Sequence, residues 1–297
     1  MPLSFIERPI KNNQAYIKNV LKSDSRYTDF QTRGPQGAVL HSIGTPQPSA
    51  KVIGDYFDSP FVEASVHMVL QADGQCYVLA PDHYRMWHGG GSINNSHMGI
   101  EMTEPKEIAY DAARGYRLSI LDGEKALTHV KATYERAVEL FARLCRKYGW
   151  DPLEDGVILS HKECYERGIG SNHGDPEHLW DGLNTGYTMD TFRQAVADAI
   201  AAEQAWEQAE KAKQEAEEKA KQEAEKQEQE VDEVRYYTLG DLKKTPGHEV
   251  YLPTIEKLIR KGYLLGRGGK GDDLILDFSE DSLRLLVTLD RAGAYGD

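Results

Sequence analysis

The sequence predicts an α/β fold: a central mixed β-sheet flanked by helices, followed by a long charged helix and a small helical C-terminal module. Between Gly37 and Ile200, short apolar runs alternate with segments of helical period, which is typical of a sheet covered by helices. The next stretch consists almost wholly of Ala, Glu, Lys and Gln, and apolar residues return near Tyr236. We therefore predict three parts, residues 1–200, 201–234 and 235–297.

Short apolar and β-branched runs predict the strands of the first part. Two of them, GAVLHSI and GVILSH, carry His41 and His161 near their ends. A third, HMGIEM, carries Glu101 near its end. A hairpin is predicted in ASVHMVLQADGQCYVLA, because two apolar segments surround an Asp-Gly turn signal at residues 73–74.

Two helices are predicted from the spacing of apolar residues and from composition. The clearer one is THVKATYERAVELFARLCRKYG, whose apolar residues recur at spacings of three and four before Gly149 ends it. The other begins around Met189 and continues into the charged segment, where KAKQEAE occurs twice with a period of eight. Since this repeat has no Leu or Ile to form a coiled-coil seam, we predict a semi-rigid helical spacer.

Residues 235–297 predict a small, mostly helical module. Ser279 followed by Glu280 and Asp281 is a helix start, because a hydroxyl and early acidic groups satisfy free N–H groups there. Gly293 is expected to end that helix. A module of about 60 residues is only marginally stable alone, so docking or homo-oligomerisation is expected of it.

Composition excludes some classes of partner. The 48 acidic and 35 basic residues give a net charge of -13, which argues against a nucleic-acid partner because phosphate binding needs a basic face. The three cysteines have no framework spacing, which indicates a reducing compartment. No signal-peptide pattern and no run of about 18 apolar residues occurs, so we expect cytoplasmic synthesis and no membrane partner.

One segment, SHKECYERGIGSNHGDPEHLW, concentrates three histidines, a cysteine and several carboxylates. His161 opens it at a strand end, and His41 also lies at a strand end, where a sheet presents side chains to a cleft. Two imidazoles with one carboxylate or thiolate and an open position form a hydrolytic zinc arrangement. From spacing alone, the third ligand stays open among Cys164, His173 and Asp175, and a single histidine is more often hydrogen-bonded than a ligand.

Six motifs occur in one order between about residues 30 and 200: LHSIGTPQ, VHMVLQADGQ, WHGGG, NNSHMGIEM, ILSHKE and SNHGDPEHLW. In this set and order, the sequence resembles the zinc-dependent N-acetylmuramoyl-L-alanine amidases. That family includes phage endolysins and is similar to peptidoglycan recognition proteins. The resemblance implies a mixed sheet flanked by helices, with a peptidoglycan groove and a Zn2+ ion at its base.

The resemblance also implies roles for individual residues. His41, His161 and Asp175 match the three zinc ligands. Glu101 matches the acidic residue that serves as general base in many members, and His173 stands where relatives carry a cation that stabilises the oxyanion. The family carries lysine at that position, so a histidine there would make oxyanion stabilisation depend on its protonation.

Four further residues are expected to bind substrate. His67 and His88 match motif positions in or near the groove. Trp87 is expected to line the groove, where an aromatic face suits a sugar ring, with core packing as the alternative. Asn95 is expected to bind substrate amides, with a turn role as the alternative.

Some residues depart from the family pattern or have plainer interpretations. Val66 stands where several relatives have a catalytic tyrosine, and the loop from His161 to Asp175 is longer than in shorter relatives. Glu177 is expected to be solvated, and His178 to be a bystander.

The resemblance implies cleavage of the amide between N-acetylmuramic acid and L-alanine in the peptidoglycan of Gram-positive cell walls. We expect a phage or prophage endolysin, made in the host cytoplasm and released to the wall through a separate holin-type pore. The alternatives are a host autolysin, a non-catalytic peptidoglycan-binding protein, and an assembly protein that acts through its terminal helices. Residues 235–297 are similar to short terminal segments of cell-wall hydrolases, which implies wall attachment or self-association.

Overall fold

The computed structural model describes residues 2–13, 16, 30–231 and 235–296. The chain divides into two compact units, Met1–Glu207 and Gln208–Asp297. The three predicted parts stay predictions, and of them residues 1, 14, 15, 17–29, 232–234 and 297 lie outside the described residues.

The first unit is built on a mixed sheet whose strand order is β1-β4-β3-β5-β2-β8. Its strands are β1 (Ser4–Glu7), β2 (Gly37–Ser42), β3 (Met68–Leu70), β4 (Gln75–Val78), β5 (His97–Met102) and β8 (Ile158–Ser160). Strands β3, β5, β2 and β8 pair in parallel, whereas β4 pairs antiparallel with β3 and parallel with β1. The predicted mixed sheet and the predicted β3–β4 hairpin are confirmed. A separate antiparallel pair consists of β6 (Ile108–Asp111) and β7 (Arg117–Ile120).

Helices cover both faces of the sheet, as predicted. Four of the described helices lie wholly in this unit: α1 (Ala50–Phe57), α2 (Gly123–Tyr148), α3 (His161–Glu166) and α4 (Glu177–Gly182). Ala38 and Leu40 of β2 pack in the core cluster that contains Phe141 of α2, whereas Val69 of β3 packs with Ile53 of α1. The predicted end of α2 is confirmed, because Gly149 follows it in the left-handed conformation.

The strand register brings the polar strand ends together. His41 is the Cα partner of Glu101, and Leu40 is the Cα partner of Ser160, which directly precedes His161. Parallel strands end at the same edge of a sheet, so these ends share one edge. Because side chains alternate along a strand, His41 points away from the face that Leu40 packs against.

The charged helix α5 runs for 43 residues from Met189 to Val231, which confirms a long helix beginning near Met189. The side chains of residues 201–209 and 211–223 are exposed, and Lys211 Nζ lies 3.8 Å from Glu215 one turn later. Such surface pairs contribute about 0.2 to 0.5 kcal/mol each. No helix in the described part of the chain combines the length and apolar composition needed to cross a bilayer.

The second unit contains three short helices around a small core. They are α6 (Leu239–Lys244), α7 (Leu252–Arg260) and α8 (Glu280–Arg291), and Leu242, Ile255 and Leu283 are buried between them. The predicted start of α8 is confirmed, since Ser279 Oγ accepts the Ser282 N–H at 3.2 Å. The sequence prediction missed an antiparallel strand pair, β9 (Arg235–Thr238) with β10 (Ile275–Ser279). Thr238 ends β9 and Ser279 ends β10, and each also caps the helix that follows. In the sequence, the end of each strand therefore cannot be told apart from the start of a helix.

Candidate metal centre and groove

A groove of about 960 Å³ opens where the strand ends meet. We call its buried ionisable side chains the floor, and they are His41, His88, Glu101, His161 and Asp175. We call its exposed aromatic side chains the rim, and they are Tyr56, Trp87 and Tyr116, with 56%, 42% and 71% of their surface exposed.

His41, His161 and Asp175 form a group that can hold a metal ion. One ligand atom from each residue lies within 4.8 Å of the other two. His41 Nδ1 is 3.0 Å from Asp175 Oδ2, and His161 Nδ1 is 3.3 Å from Asp175 Oδ1. Burial alone would raise the pKa of Asp175, but hydrogen bonds with His161 and His41 bring that pKa below its usual range.

A capping box turns the chain from β8 into α3 and places His161 at the start of the helix. Ser160 Oγ accepts the Glu163 N–H, and Glu163 Oε2 accepts the Ser160 N–H, both at 3.0 Å. The Lys162 N–H then donates to the Asp175 carbonyl at 3.3 Å, which ties the start of the helix to the third member of the group. The segment from His161 to Asp175 was predicted as a loop, and the capping box explains why it opens with a helix instead.

The two other candidates for the third ligand lie elsewhere. Cys164 is buried in an apolar cluster with Val39, Ile93 and Leu159. Burial raises the pKa of its thiol to about 12, so the thiolate that a metal needs is disfavoured there. The His173 ring is exposed and stacks on His161 with the ring centroids 4.3 Å apart. The geometry therefore favours the carboxylate of Asp175.

Glu101 lies on the floor beside this group, on the strand next to His41. Among the described residues its Oε2 atom is buried without a hydrogen-bond partner. Burial, together with the negative charges of Asp175 and Glu104, raises its pKa well above the usual value. A buried carboxylate without compensation is costly, and a bound cation would offset that cost. The donor set and this orphaned oxygen both fit a divalent metal ion.

His173, the predicted oxyanion-stabilising residue, lines the groove at its open side. Its Nδ1 atom lies 3.0 Å from Ser171 Oγ. Burial, followed by repulsion from His161, lowers its pKa, which favours the neutral ring. A neutral ring whose Nδ1 accepts from Ser171 carries its hydrogen on Nε2 and can still donate one hydrogen bond.

His67 does not line the groove, contrary to the prediction from its motif position. Its side chain is fully buried, its Nε2 lies 2.7 Å from the Tyr84 carbonyl, and its Nδ1 accepts the Gly99 N–H at 3.0 Å. Burial lowers its pKa to about 4, so the ring is neutral. Both ring nitrogens bind the backbone, which leaves none for a substrate.

Asn95 also lies away from the groove lining. Its Oδ1 accepts from Arg85 Nε at 2.7 Å, and the substrate contact of this residue stays a prediction. The neighbouring Asn94 Oδ1 accepts the backbone N–H groups of His88 and Gly89, at 3.2 and 2.8 Å. Asn94 thus has a turn role. Of the four predicted substrate residues, Trp87 and His88 line the groove.

The sequence did not predict a polar cluster on another side of the groove. The Tyr110 hydroxyl lies 2.7 Å from Glu104 Oε2 and 2.8 Å from His178 Nε2, and both Tyr110 and His178 line the groove. His178 is therefore no bystander. Glu177, expected to be solvated, is buried, and its Oε1 accepts from Ser160 Oγ at 2.7 Å. The contact of Tyr110 with His178 and that of Ser160 with Glu177 join residues 68 and 17 positions apart, and no local spacing signals them.

Known proteins match the part of the chain that forms this site. The family model described as N-acetylmuramoyl-L-alanine amidase matches residues 31–178. The N-acetylmuramoyl-L-alanine amidase BlyA of Bacillus subtilis (strain 168) is 27% identical over 151 residues, which are 47% of this chain and 39% of that protein. The chain thus spans about two fifths of that relative's length.

Two solved structures are also similar. The Staphylococcus aureus hydrolase AmiA in complex with its ligand has a TM-score of 0.49 at 15% identity, covering 69% of this chain and 86% of that one. A mutant endolysin from Bacillus subtilis has a TM-score of 0.42 at 15% identity, covering 65% and 99%. On the family match, the chain belongs through residues 31–178 to the N-acetylmuramoyl-L-alanine amidase family.

Proposed function

We propose that this protein is a zinc-dependent amidase that hydrolyses the amide between N-acetylmuramic acid and L-alanine in peptidoglycan. One observation carries the proposal: the ligand atoms of His41, His161 and Asp175 converge within 4.8 Å on the floor of a groove. All three residues fall within the segment that matches the amidase family.

Zinc is the metal that suits this donor set best. Two imidazoles and one carboxylate, open to a groove, are the ligands of hydrolytic zinc sites. A zinc ion in such a site acts as a Lewis acid toward the scissile carbonyl and makes water a stronger nucleophile near neutral pH. His41, His161 and Asp175 would hold it.

Glu101 is the proposed general base. Its Oε2 atom is unpartnered among the described residues and lies on the floor, where the proton of an attacking water can be accepted. A raised pKa suits the second half of the reaction, because the protonated carboxyl then donates that proton to the departing L-alanine nitrogen. One residue thus serves as base and afterwards as acid.

His173 is the proposed donor to the oxyanion. Its Nδ1 lies 3.0 Å from Ser171 Oγ, and in the tautomer whose Nδ1 accepts from that hydroxyl the Nε2 hydrogen can donate into the groove. One well-placed donor of this kind contributes about 3 kcal/mol to the stabilisation of a transition state. The rim supplies aromatic faces on which sugar rings of the glycan can pack.

We further propose that the activity lyses Gram-positive walls and that the protein is a phage or prophage endolysin released through a separate membrane pore. The amidase BlyA from Bacillus subtilis supports the choice of wall. For residues 235–297 we propose wall attachment or homo-oligomerisation. A non-catalytic binding protein is disfavoured, because the chain retains the three metal-binding candidates and Glu101.

The test uses purified full-length protein, Gram-positive peptidoglycan, and samples with chelator or with added zinc. We expect new free L-alanine amino termini, no new reducing sugar ends, and loss of release after chelation. Glu101→Gln is expected to bind zinc as the wild type does and to lose turnover. New reducing ends, or release that persists under strong chelation, would contradict the proposed function.

A further inference from the structure

A chain of hydrogen bonds leads from the backbone of β5 to the metal group. The His97 carbonyl oxygen lies 3.0 Å from His88 Nε2, and His88 Nδ1 lies 3.0 Å from His41 Nε2. The other nitrogen of that second ring, His41 Nδ1, lies 3.0 Å from Asp175 Oδ2. Each imidazole in the chain therefore uses both of its nitrogens.

The chemistry of the first contact fixes the direction of the others. A carbonyl oxygen only accepts, so His88 Nε2 must carry a hydrogen. His88 is buried against a carbonyl and another imidazole, neither of which offsets a positive charge, so its ring is neutral and its Nδ1 accepts. His41 Nε2 must then donate, which leaves His41 Nδ1 as the ring nitrogen that faces Asp175 and the metal group.

The packing holds His88 in this orientation. Its backbone N–H donates to Asn94 Oδ1 at 3.2 Å, which fixes the turn that carries it. Its ring lies on Gly99, where an added Cβ would come 2.4 Å from His88 Cγ. The rings of His88 and His41 meet nearly perpendicular, at 81°, with centroids 5.2 Å apart. A Cβ at position 99 would therefore force the ring or the strand to move.

We propose that His88 is a positioning residue: by accepting a hydrogen bond from His41 Nε2, it keeps His41 Nδ1 turned toward Asp175, where that atom can bind a metal. His88 itself is not a ligand, since both of its nitrogens are engaged elsewhere. The other histidine of the group is held by a hydroxyl instead of an imidazole, because His161 Nε2 lies 3.0 Å from Ser171 Oγ. The inference rests on the metal site of the proposed function and adds the way in which that site is preorganised.

Two substitutions separate this role from simple packing. His88→Phe keeps an aromatic ring but removes the acceptor, whereas His88→Asn places Oδ1 near the former Nδ1 and keeps one. Groups that orient a metal-binding histidine typically change metal affinity 10- to 100-fold, so we expect His88→Phe to weaken zinc binding by about that factor. We expect His88→Asn to stay within roughly threefold of the wild type.

Zinc affinity is measured by competition with a chromophoric chelator on full-length protein, and circular dichroism verifies that each variant is folded. Equal affinity of wild type and His88→Phe would overturn the inference, as would an equal loss in both variants. Wild-type protein that fails to bind zinc would instead contradict the proposed function.

A second measurement needs no variant and no metal. Nitrogen-15 spectra of the histidine rings in metal-free wild-type protein report which nitrogens carry a hydrogen. We expect His41 Nε2 to carry one, with a scalar coupling across the hydrogen bond to His88 Nδ1. A His41 Nε2 atom without a hydrogen would overturn the inference, whatever the zinc affinities are.

Discussion

The floor and the rim of the groove are built in opposite ways. On the floor, His41, His161 and Asp175 are buried, and strand register and hydrogen bonds fix every polar atom of the two rings. On the rim, Tyr56 and Trp87 expose 56% and 42% of their surface. The difference implies that floor substitutions act through metal binding or folding in steps of several kcal/mol, whereas rim substitutions act on substrate affinity in smaller steps.

Removing the carboxylate from the floor should have the largest effect. Asp175→Ala deletes one proposed ligand and leaves the Nδ1 atoms of two buried imidazoles without their shared partner. We expect zinc affinity to fall by well over 100-fold, which exceeds the loss typical of a group that only orients a ligand. Metal content after dialysis measures the effect.

Asp181→Ala is the matched control, because that carboxylate lies six residues further along the chain and is exposed. It should retain zinc at the wild-type stoichiometry. Full zinc occupancy in Asp175→Ala would show that the floor does not hold the metal in the way proposed.

His67 is buried next to the floor and should make the free energy of unfolding depend on pH. Its pKa is lowered from 6.5 to about 4 by burial. The unfolded chain therefore binds a proton on this histidine at a higher pH than the folded protein does. As the pH falls from 6.5 toward 4, the free energy of unfolding drops by up to about 3 kcal/mol. In His67→Gln, urea unfolding at pH 6.5 and at pH 4 should show a smaller loss of unfolding free energy than in the wild type.

His83→Gln, the same change at an exposed position, is the control for that measurement. If His67→Gln loses as much stability on acidification as wild type and control do, the buried ring is not the source of the acid sensitivity.

Gly99 tests the packing that keeps the floor rigid. In Gly99→Ala the new Cβ would come 2.4 Å from His88 Cγ, so the ring or the strand must move. Overpacking of this kind costs about 1 to 3 kcal/mol of unfolding free energy, measured by denaturant titration. At Gly123, an added Cβ would meet only Ile120 at 3.7 Å, so Gly123→Ala should leave stability unchanged or raise it slightly. Equal stability of the two variants would argue against tight packing under the floor.

The sequence was informative where local patterns and chain position agree. Apolar runs ending in polar residues predicted the strand ends that carry His41, Glu101 and His161, and capping signals predicted the start of α8. The choice of Asp175 over Cys164 needed the family resemblance, because spacing alone left both open. Which way a buried side chain points depends on tertiary packing, which spacing does not encode.

The same reason explains the residues that sequence reasoning misjudged. His67 occupies a motif position beside the groove, yet backbone groups of Tyr84 and Gly99 bind both of its nitrogens. The contact between Tyr110 and His178 joins residues 68 positions apart and depends on how the β6–β7 hairpin packs. Tyr116 at the tip of that hairpin enters the groove with a positive φ of 60°, which few sequences would signal at a tyrosine.

Of the four test substitutions, the one on the rim should have the smallest effect. Trp87 is 42% exposed, and Arg85 lies over its ring with the guanidinium 5.4 Å from the centroid, so the indole face is held but not buried. Trp87→Ala should remove one stacking surface for a sugar ring, lowering kcat/KM for peptidoglycan about fivefold, or about 1 kcal/mol, chiefly through KM. Zinc affinity should stay unchanged.

Trp206→Ala is the control, because it removes an exposed tryptophan of α5, and it should leave kcat/KM and zinc affinity at wild-type values. A loss of zinc in Trp87→Ala would mean that the rim also shapes the metal site, and the division between floor and rim would then have to be abandoned.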